Sequence, residues 1–194
     1  NDSGETLIFD PGCYSREEEL LLIDFIEENK LIICAVLYTH AHIDHILGAE
    51  FVREKYQCAS YLHPLDHVTW TSVANYALIY GFEGYKTSIL PENYLEDGQV
   101  LHIGTFKIQV RHTPGHAPGH VIFYFEVDNF IINGDVLFRE SFGRVDLPGG
   151  DLTTLKKSIF DVLFQYPDET IVYCGHGPNT TIGHEKKYNY INQY

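Results

Sequence analysis

The chain has 194 residues, a formal net charge of −14 and 44% hydrophobic residues, which is enough for one domain with a core of its own. Its acidic balance excludes the basic footprint of a nucleic-acid binder and disfavours anionic surfaces. The longest unbroken apolar run, Leu31–Tyr38, is far too short to cross a bilayer, so no membrane partner is expected.

The chain opens on the polar, turn-like Asn1-Asp2-Ser3-Gly4, which is no signal peptide. The sequence holds no Met, so Asn1 is not expected to be the translation start; it reads as the turn of a hairpin whose first strand is missing. Thr6–Asp10 reads as a strand. Glu17–Asn29 reads as a helix with acids in its first turn and an apolar stripe of Leu21, Leu22, Phe25 and Ile26. Leu31–Thr39 is apolar throughout, as a buried strand is. A short helix over Ala49–Tyr56, a strand over Ala59–His63 and a helix over Leu65–Ile79 follow, then an irregular aromatic segment from Gly81 to Glu96.

Gln99–Ile103, Phe106–His112, Val121–Val127 and Phe130–Asn133 read as strands, with a turn at Asp128-Asn129. Leu152–Phe164 reads as a helix capped by Asp151, and Thr170–Tyr173 as a strand. Cys174–Thr181 is a Gly/Pro-rich loop, and the tail from Ile182 is helical in character. Strand and helix patterns alternate, which points to α/β or α+β architecture. The four cysteines, Cys13, Cys34, Cys58 and Cys174, form no C-x-x-C pair; free thiols in a reducing cytoplasm are expected.

The most informative feature is His40-Ala41-His42-Ile43-Asp44-His45, three imidazoles and a carboxylate directly after the Leu31–Tyr38 strand. Imidazole and carboxylate are what zinc and its first-row neighbours take as ligands. Three more expected strand ends carry His or Asp beside small residues: Thr113-Pro114-Gly115-His116, Asn133-Gly134-Asp135 and Cys174-Gly175-His176-Gly177-Pro178. Strand ends on one sheet edge are where α/β folds place ligand sites.

Taken together, H-x-H-x-D-H, T-P-G-H, G-D and G-H-G resemble the metallo-β-lactamase superfamily over about Thr6 to Lys187. Gly134–Phe138 (GDVLF), Gly143–Asp151 (GRVDLPGGD) and Cys174–Glu185 are most similar to short glyoxalase II-related hydrolases. The resemblance implies an α/β fold (α+β in some schemes), an αββα four-layer sandwich with a two-metal site at one edge. It implies that His40, His42 and His116 hold one metal, that Asp44, His45 and His176 hold the second, and that Asp135 bridges them. Asp135 has a plainer reading as a turn cap after Asn133-Gly134. Asp10 reads as an organiser behind the ligands rather than a ligand.

The activity implied is hydrolysis of a thioester such as S-acylglutathione by a metal-bridging hydroxide, with Asp44 and Asp135 in catalytic roles and zinc the expected pair of ions; iron and manganese are the alternatives. Asp44 and His45 are expected to face away from His40 and His42. Arg144 matches the family's position for a basic group on glutathione, or it pairs with Asp146 or Asp151. The aromatic segment Trp70–Tyr85 lines a pocket or belongs to the core, and the tail tyrosines Tyr188, Tyr190 and Tyr194 suit an interface or cover the core. Only 18 residues follow His176, so the helical glutathione-binding domain of glyoxalase II proper is not expected. The alternatives are a mononuclear-iron persulfide dioxygenase, using His40, His116 and Asp135, and a lactonase or β-lactamase. His63, His67, His102, His112, His120 and His184 are left over; each reads as structural or exposed. His120 stands where many relatives carry serine.

Overall fold

The computed structural model describes residues 3–194; the turn expected at Asn1-Asp2-Ser3-Gly4 begins outside the described residues. The chain forms two compact units. One comprises residues up to Tyr94 with Ile103–Thr105, the other Leu95–His102 with Phe106–Tyr194.

The first unit is built on a parallel sheet in the order β1 (Glu5–Phe9), β2 (Ile32–Leu37), β3 (Ala59–Leu62), β4 (Asn93–Tyr94). The apolar run of β2 makes it an inner strand, and Ala35, Val36 and Leu37 are buried. Phe9 is in register with Leu37, Leu37 with Tyr61 and Leu62 with Tyr94. The strands therefore end level, and Asp10, Thr39-His40 and His63 leave from one edge.

Helix α1 (Arg16–Glu28) starts on a capping box: the Glu18 amide donates to Ser15 Oγ, and the Ser15 amide donates to the Glu18 carboxylate. Its buried residues are Ile23 and Ile26, with Leu22 partly covered, while Leu21 and Phe25 are exposed. The expected stripe is therefore rotated by one residue. The run Leu20–Ile23 is apolar all round, so sequence period alone leaves the facing side ambiguous. A one-turn helix, α2 (Ile43–Ile46), lies within the histidine run, and α3 (Ala49–Tyr56) has the bounds read from sequence.

The helix expected over Leu65–Ile79 is broken into a 3₁₀ turn at Pro64–Asp66, α4 (His67–Ser72), and 3₁₀ turns at Val73–Asn75 and Ala77–Tyr80. β-Branched Val68, Thr69, Thr71 and Val73 disfavour continuous helix, and the Thr71 and Ser72 hydroxyls donate back to His67 and Thr69 carbonyls. Trp70, Val73 and Ala77 join Val36, Tyr38 and Leu62 in the core. Trp70 thus belongs to the core, whereas Leu78, Ile79 and Tyr80 are exposed.

The second unit holds a six-stranded sheet, in the order β12 (Thr180–Thr181), β11 (Ile171–Cys174), β8 (Phe130–Gly134), β7 (Val121–Phe125), β6 (Phe106–His112), β5 (Val100–Ile103). The β8–β11 pair is parallel; β6–β7, β7–β8 and β11–β12 are antiparallel. A two-stranded ribbon of β9 (Leu137–Phe138) and β10 (Ser141–Phe142) follows β8. Ile122, Ile131, Leu155, Ile159, Leu163, Val172, Ile182 and Ile191 form the core.

The expected helix over Leu152–Phe164 is capped by Asp151, whose side chain accepts the Thr154 amide. It is α-helical only over α5 (Leu152–Lys157), widens to a π-helical stretch over Ser158–Val162, and ends as 3₁₀. Helix α6 (Ile182–Tyr188) carries the tail. Tyr188, Tyr190 and Tyr194 are exposed rather than covering the core, and the last two pack with Phe142. Among the described residues no helix is long and apolar enough to cross a membrane.

Candidate functional site

In the first unit the level strand ends bring Asp10, His40, His42 and His45 together. Asp10 follows β1 in the left-handed region, φ 45°, a conformation Asp tolerates better than most residues. Its carboxylate accepts the Thr39 amide on Oδ1 (2.7 Å), and on Oδ2 it accepts the Thr39 hydroxyl (2.6 Å) and His45 Nδ1 (3.0 Å). Thr39 Oγ1 lies 3.0 Å from His40 Nδ1. The Ala41 amide donates to the fully buried Asp66, 2.8 Å from Oδ2. Two carboxylates from neighbouring strand ends thus hold the backbone on either side of His40.

His40, His42 and His45 are buried. The His40 ring centroid lies 4.7 Å from that of His42 and 4.1 Å from that of His45. His45 therefore does not face away, contrary to expectation: the turn of α2 brings its ring back beside His40. Asp44 is exposed, and its Oδ2 lies 3.7 Å from His45 Nε2.

The partners of these imidazoles fix their tautomers. An ionised carboxylate only accepts, so His45 carries its proton on Nδ1. The Thr39 hydroxyl proton is committed to Asp10, so His40 donates from Nδ1 to Thr39 Oγ1. In the neutral rings Nε2 is therefore the unprotonated nitrogen. One ring nitrogen tied to an oxygen and the other left as a lone pair is how metal-binding histidines are oriented. One ligand atom each from Asp10, His40 and His45 lies within 4.8 Å of the others.

In the second unit His116, Asp135 and His176 converge. Asp135 Oδ2 lies 3.6 Å from His116 Nε2 and 3.5 Å from His176 Nε2. His116 Nδ1 donates to the Arg144 carbonyl at 2.7 Å, so in the neutral ring its Nε2 is also the unprotonated nitrogen. The Thr113–His116 loop is tied to both ends of α5: Ser158 Oγ, at the start of the π-helical stretch, donates to the Pro114 carbonyl at 2.6 Å, and the amide of the cap residue Asp151 to the Gly115 carbonyl at 2.8 Å. At Gly143 a Cβ would overlap the Asp135 carbonyl and lie 3.0 Å from His116 Nδ1, so only glycine fits there.

The turn after β8 is closed by Asn133, whose Nδ2 donates to the Leu137 carbonyl at 2.7 Å. The side chain that braces this turn is thus Asn133, and the Asp135 carboxylate is turned to the two imidazoles. His176 follows β11, in a loop fixed where the Gly175 amide donates to the Gly134 carbonyl at 2.7 Å.

Arg144 is bound by Asp146 through Nε (2.7 Å) and Nη2 (2.8 Å), the second of its two expected roles. The guanidinium holds the Asp146 carboxyl down at about 2. Cys174 is half-buried and its thiol is pushed up to about 12 by burial, which does not suit a nucleophile.

Two residues of consequence carry no pattern in the sequence. Asp66 follows His63 and a proline turn, and only the level end of β3 shows its role. His120 is fully buried and its Nε2 accepts the Asp135 amide at 3.0 Å; its departure from the serine of many relatives is a signal, but not one that points to Asp135.

The sequence model of the Metallo-beta-lactamase superfamily matches residues 1–176. The chain is 34% identical over 191 residues to the "Hydroxyacylglutathione hydrolase GloC" of Haemophilus influenzae, a match spanning 97% of this chain and 88% of that one. Among solved structures it is similar to the BLEG-1 B3 metallo-beta-lactamase, with a TM-score of 0.90 and 38% identity over 98% of this chain and 90% of that one. It is similar also to TTHA1623, solved in a di-iron-bound form, with a TM-score of 0.83 and 40% identity over 94% of this chain and 87% of that one.

Proposed function

The chain belongs to the metallo-beta-lactamase superfamily, and on that premise we propose that it is a dinuclear metal-dependent hydrolase of thioesters, S-acylglutathione among them. The observation that carries the reading is the preparation of the donors. His40, His45 and His116 each have Nδ1 hydrogen-bonded to an oxygen, which in the neutral ring makes Nε2 the unprotonated nitrogen. His40, His42 and His116 would hold one ion, Asp44, His45 and His176 the other, with Asp135 serving both. This donor chemistry fits divalent first-row cations. The di-iron form of TTHA1623 supports a two-ion centre and leaves zinc and iron both as occupants.

When bound, the two ions supply a hydroxide nucleophile at neutral pH and a Lewis acid for the substrate carbonyl. The residues do the rest. Asp10 and Asp66 hold the histidine loop, and the Arg144 carbonyl and Gly143 set the His116 ring. Asp44, exposed beside His45, would orient the nucleophile as well as hold metal. The relative named as a hydroxyacylglutathione hydrolase supports the thioester as substrate. Arg144 would take the carboxylate of a glutathione conjugate in exchange for Asp146; both partners are exposed, so that pair is weak enough to be replaced. We place the protein in the cytoplasm, with a small-molecule thioester as its partner and neither nucleic acid nor membrane. The likeness to BLEG-1 favours β-lactam hydrolysis as the second reading.

The test is metal analysis of protein purified without chelator, followed by assays on a glutathione thioester, a neutral thioester and a chromogenic β-lactam. About two ions per chain with thioester turnover supports the proposal. β-Lactam turnover alone moves the function to the second reading. About one iron, with oxygen uptake on glutathione persulfide, replaces both with a dioxygenase.

A further inference from the structure

His120 is the one imidazole of the second unit that is fully buried and yet has no place in the proposed donor set. Its Nε2 lies 3.0 Å from the Asp135 amide nitrogen. An amide N–H only donates, so Nε2 is unprotonated and the ring carries its proton on Nδ1, on the side of Thr113 Oγ1 at 3.5 Å. The backbone of His120 is fixed by the Thr113 amide, which donates to the His120 carbonyl at 2.8 Å, and its ring meets that of His116 edge to face with centroids 5.9 Å apart.

The amide that His120 accepts lies in the turn opened by Gly134, φ 53°, where the chain leaves β8. From here the backbone decides where the Asp135 carboxylate points. We propose that His120 is a positioning residue for the metal centre: by accepting the Asp135 amide it fixes the Asp135 carboxylate between His116 and His176. The assignment rests on the reading of Asp135 as a metal ligand. An acceptor is required at this point, because a buried amide left without one keeps its full desolvation cost and the turn that carries Asp135 loses its hold.

The experiment titrates metal-free protein with zinc against a chromophoric chelator. It compares the wild type with His120→Leu, which keeps bulk but has no acceptor, with His120→Gln, whose Oε1 can take the place of Nε2, and with Asp135→Asn. Thermal melts of the metal-free proteins report folding independently. His120→Leu is expected to lose about 10- to 100-fold in zinc affinity, the range seen for residues that orient ligands, and His120→Gln to recover most of it. Equal affinities for the Leu and Gln variants at matched melting temperature would overturn the proposal, since packing alone would then explain the histidine. If Asp135→Asn binds zinc as the wild type does, the ligand reading itself fails. If Asp135→Asn loses zinc while His120→Leu keeps it, only the role of His120 fails. Should His120→Leu not fold, the Gln variant decides: recovery to within about threefold of wild type supports the acceptor role, and a loss as large as that of Asp135→Asn rejects it.

Discussion

Asp10 Oδ2 and His45 Nδ1 lie 3.0 Å apart across 35 positions of sequence. That bond holds the proton of His45 on Nδ1 and leaves the buried Nε2 on the side of Asp44, 3.7 Å from its Oδ2. Asp10→Asn keeps the side-chain shape and suits the left-handed backbone at this position, but it removes the charge. Zinc affinity is expected to fall about 10- to 100-fold with little change in the melting temperature of the metal-free protein. Unchanged affinity in a competition titration would show that His45 needs no carboxylate behind it.

Gly143→Ala would set a methyl group against the Asp135 carbonyl and the His116 ring. Overpacking of this kind costs about 1–3 kcal/mol, which for a chain of this size lowers the melting temperature by roughly 2–4 °C per kcal/mol. Metal content should drop with it, because the two atoms displaced belong to proposed ligands. A variant that melts lower yet keeps full metal content would separate the packing of this loop from the centre.

Arg144→Ala tests substrate anchoring. The KM for a glutathione thioester is expected to rise roughly tenfold, the worth of one charge-assisted hydrogen bond at about 1.5 kcal/mol, while that for a neutral thioester stays put. Equal changes on both substrates would assign Arg144 to its pair with Asp146 alone.

Glu50 gives a pH dependence remote from the proposed centre. The Arg53 guanidinium, then the Ser88 hydroxyl, hold its carboxyl down from 4.5 to about 2. A carboxyl depressed in the folded state stabilises most above its unfolded value and loses that contribution as pH falls through the folded one. Glu50→Gln should therefore melt below the wild type above about pH 4.5, with the gap closing as pH falls toward about 2. A gap that stays constant over that range would exclude the ion pair as its source.

The four cysteines are free. Burial raises the Cys13 thiol from 9.0 to about 11, which lowers its thiolate fraction about a hundredfold at pH 8. Alkylation of the folded protein should be slow at Cys13 and Cys174. Denaturation without reductant should release four thiols. Fewer than four would argue against a reducing compartment.

The histidine run and the three later strand ends were legible in sequence because each pairs a ligand type with a glycine or a strand boundary. The inner strands are legible for another reason: continuous apolarity at Leu31–Tyr38 and alternation in Phe106–His112 leave few other structures. The direction of His45 was not legible, since it depends on one turn of helix too short to show a period. Nor was the broken course of 65–79, where apolar spacing favours a helix that β-branched residues and hydroxyls then interrupt. Asp66 and His120 act on backbone amides far away in sequence, and nothing local records such a bond.

The first unit's sheet adds its strands in the order in which they occur in the chain, β1 beside β2 and β2 beside β3. Asp10, the histidine run and Asp66 therefore come together as soon as the third strand is laid down. Synthesis proceeds from the N-terminus, so this half of the proposed donor set is complete in the chain while His116, Asp135 and His176 are still unmade.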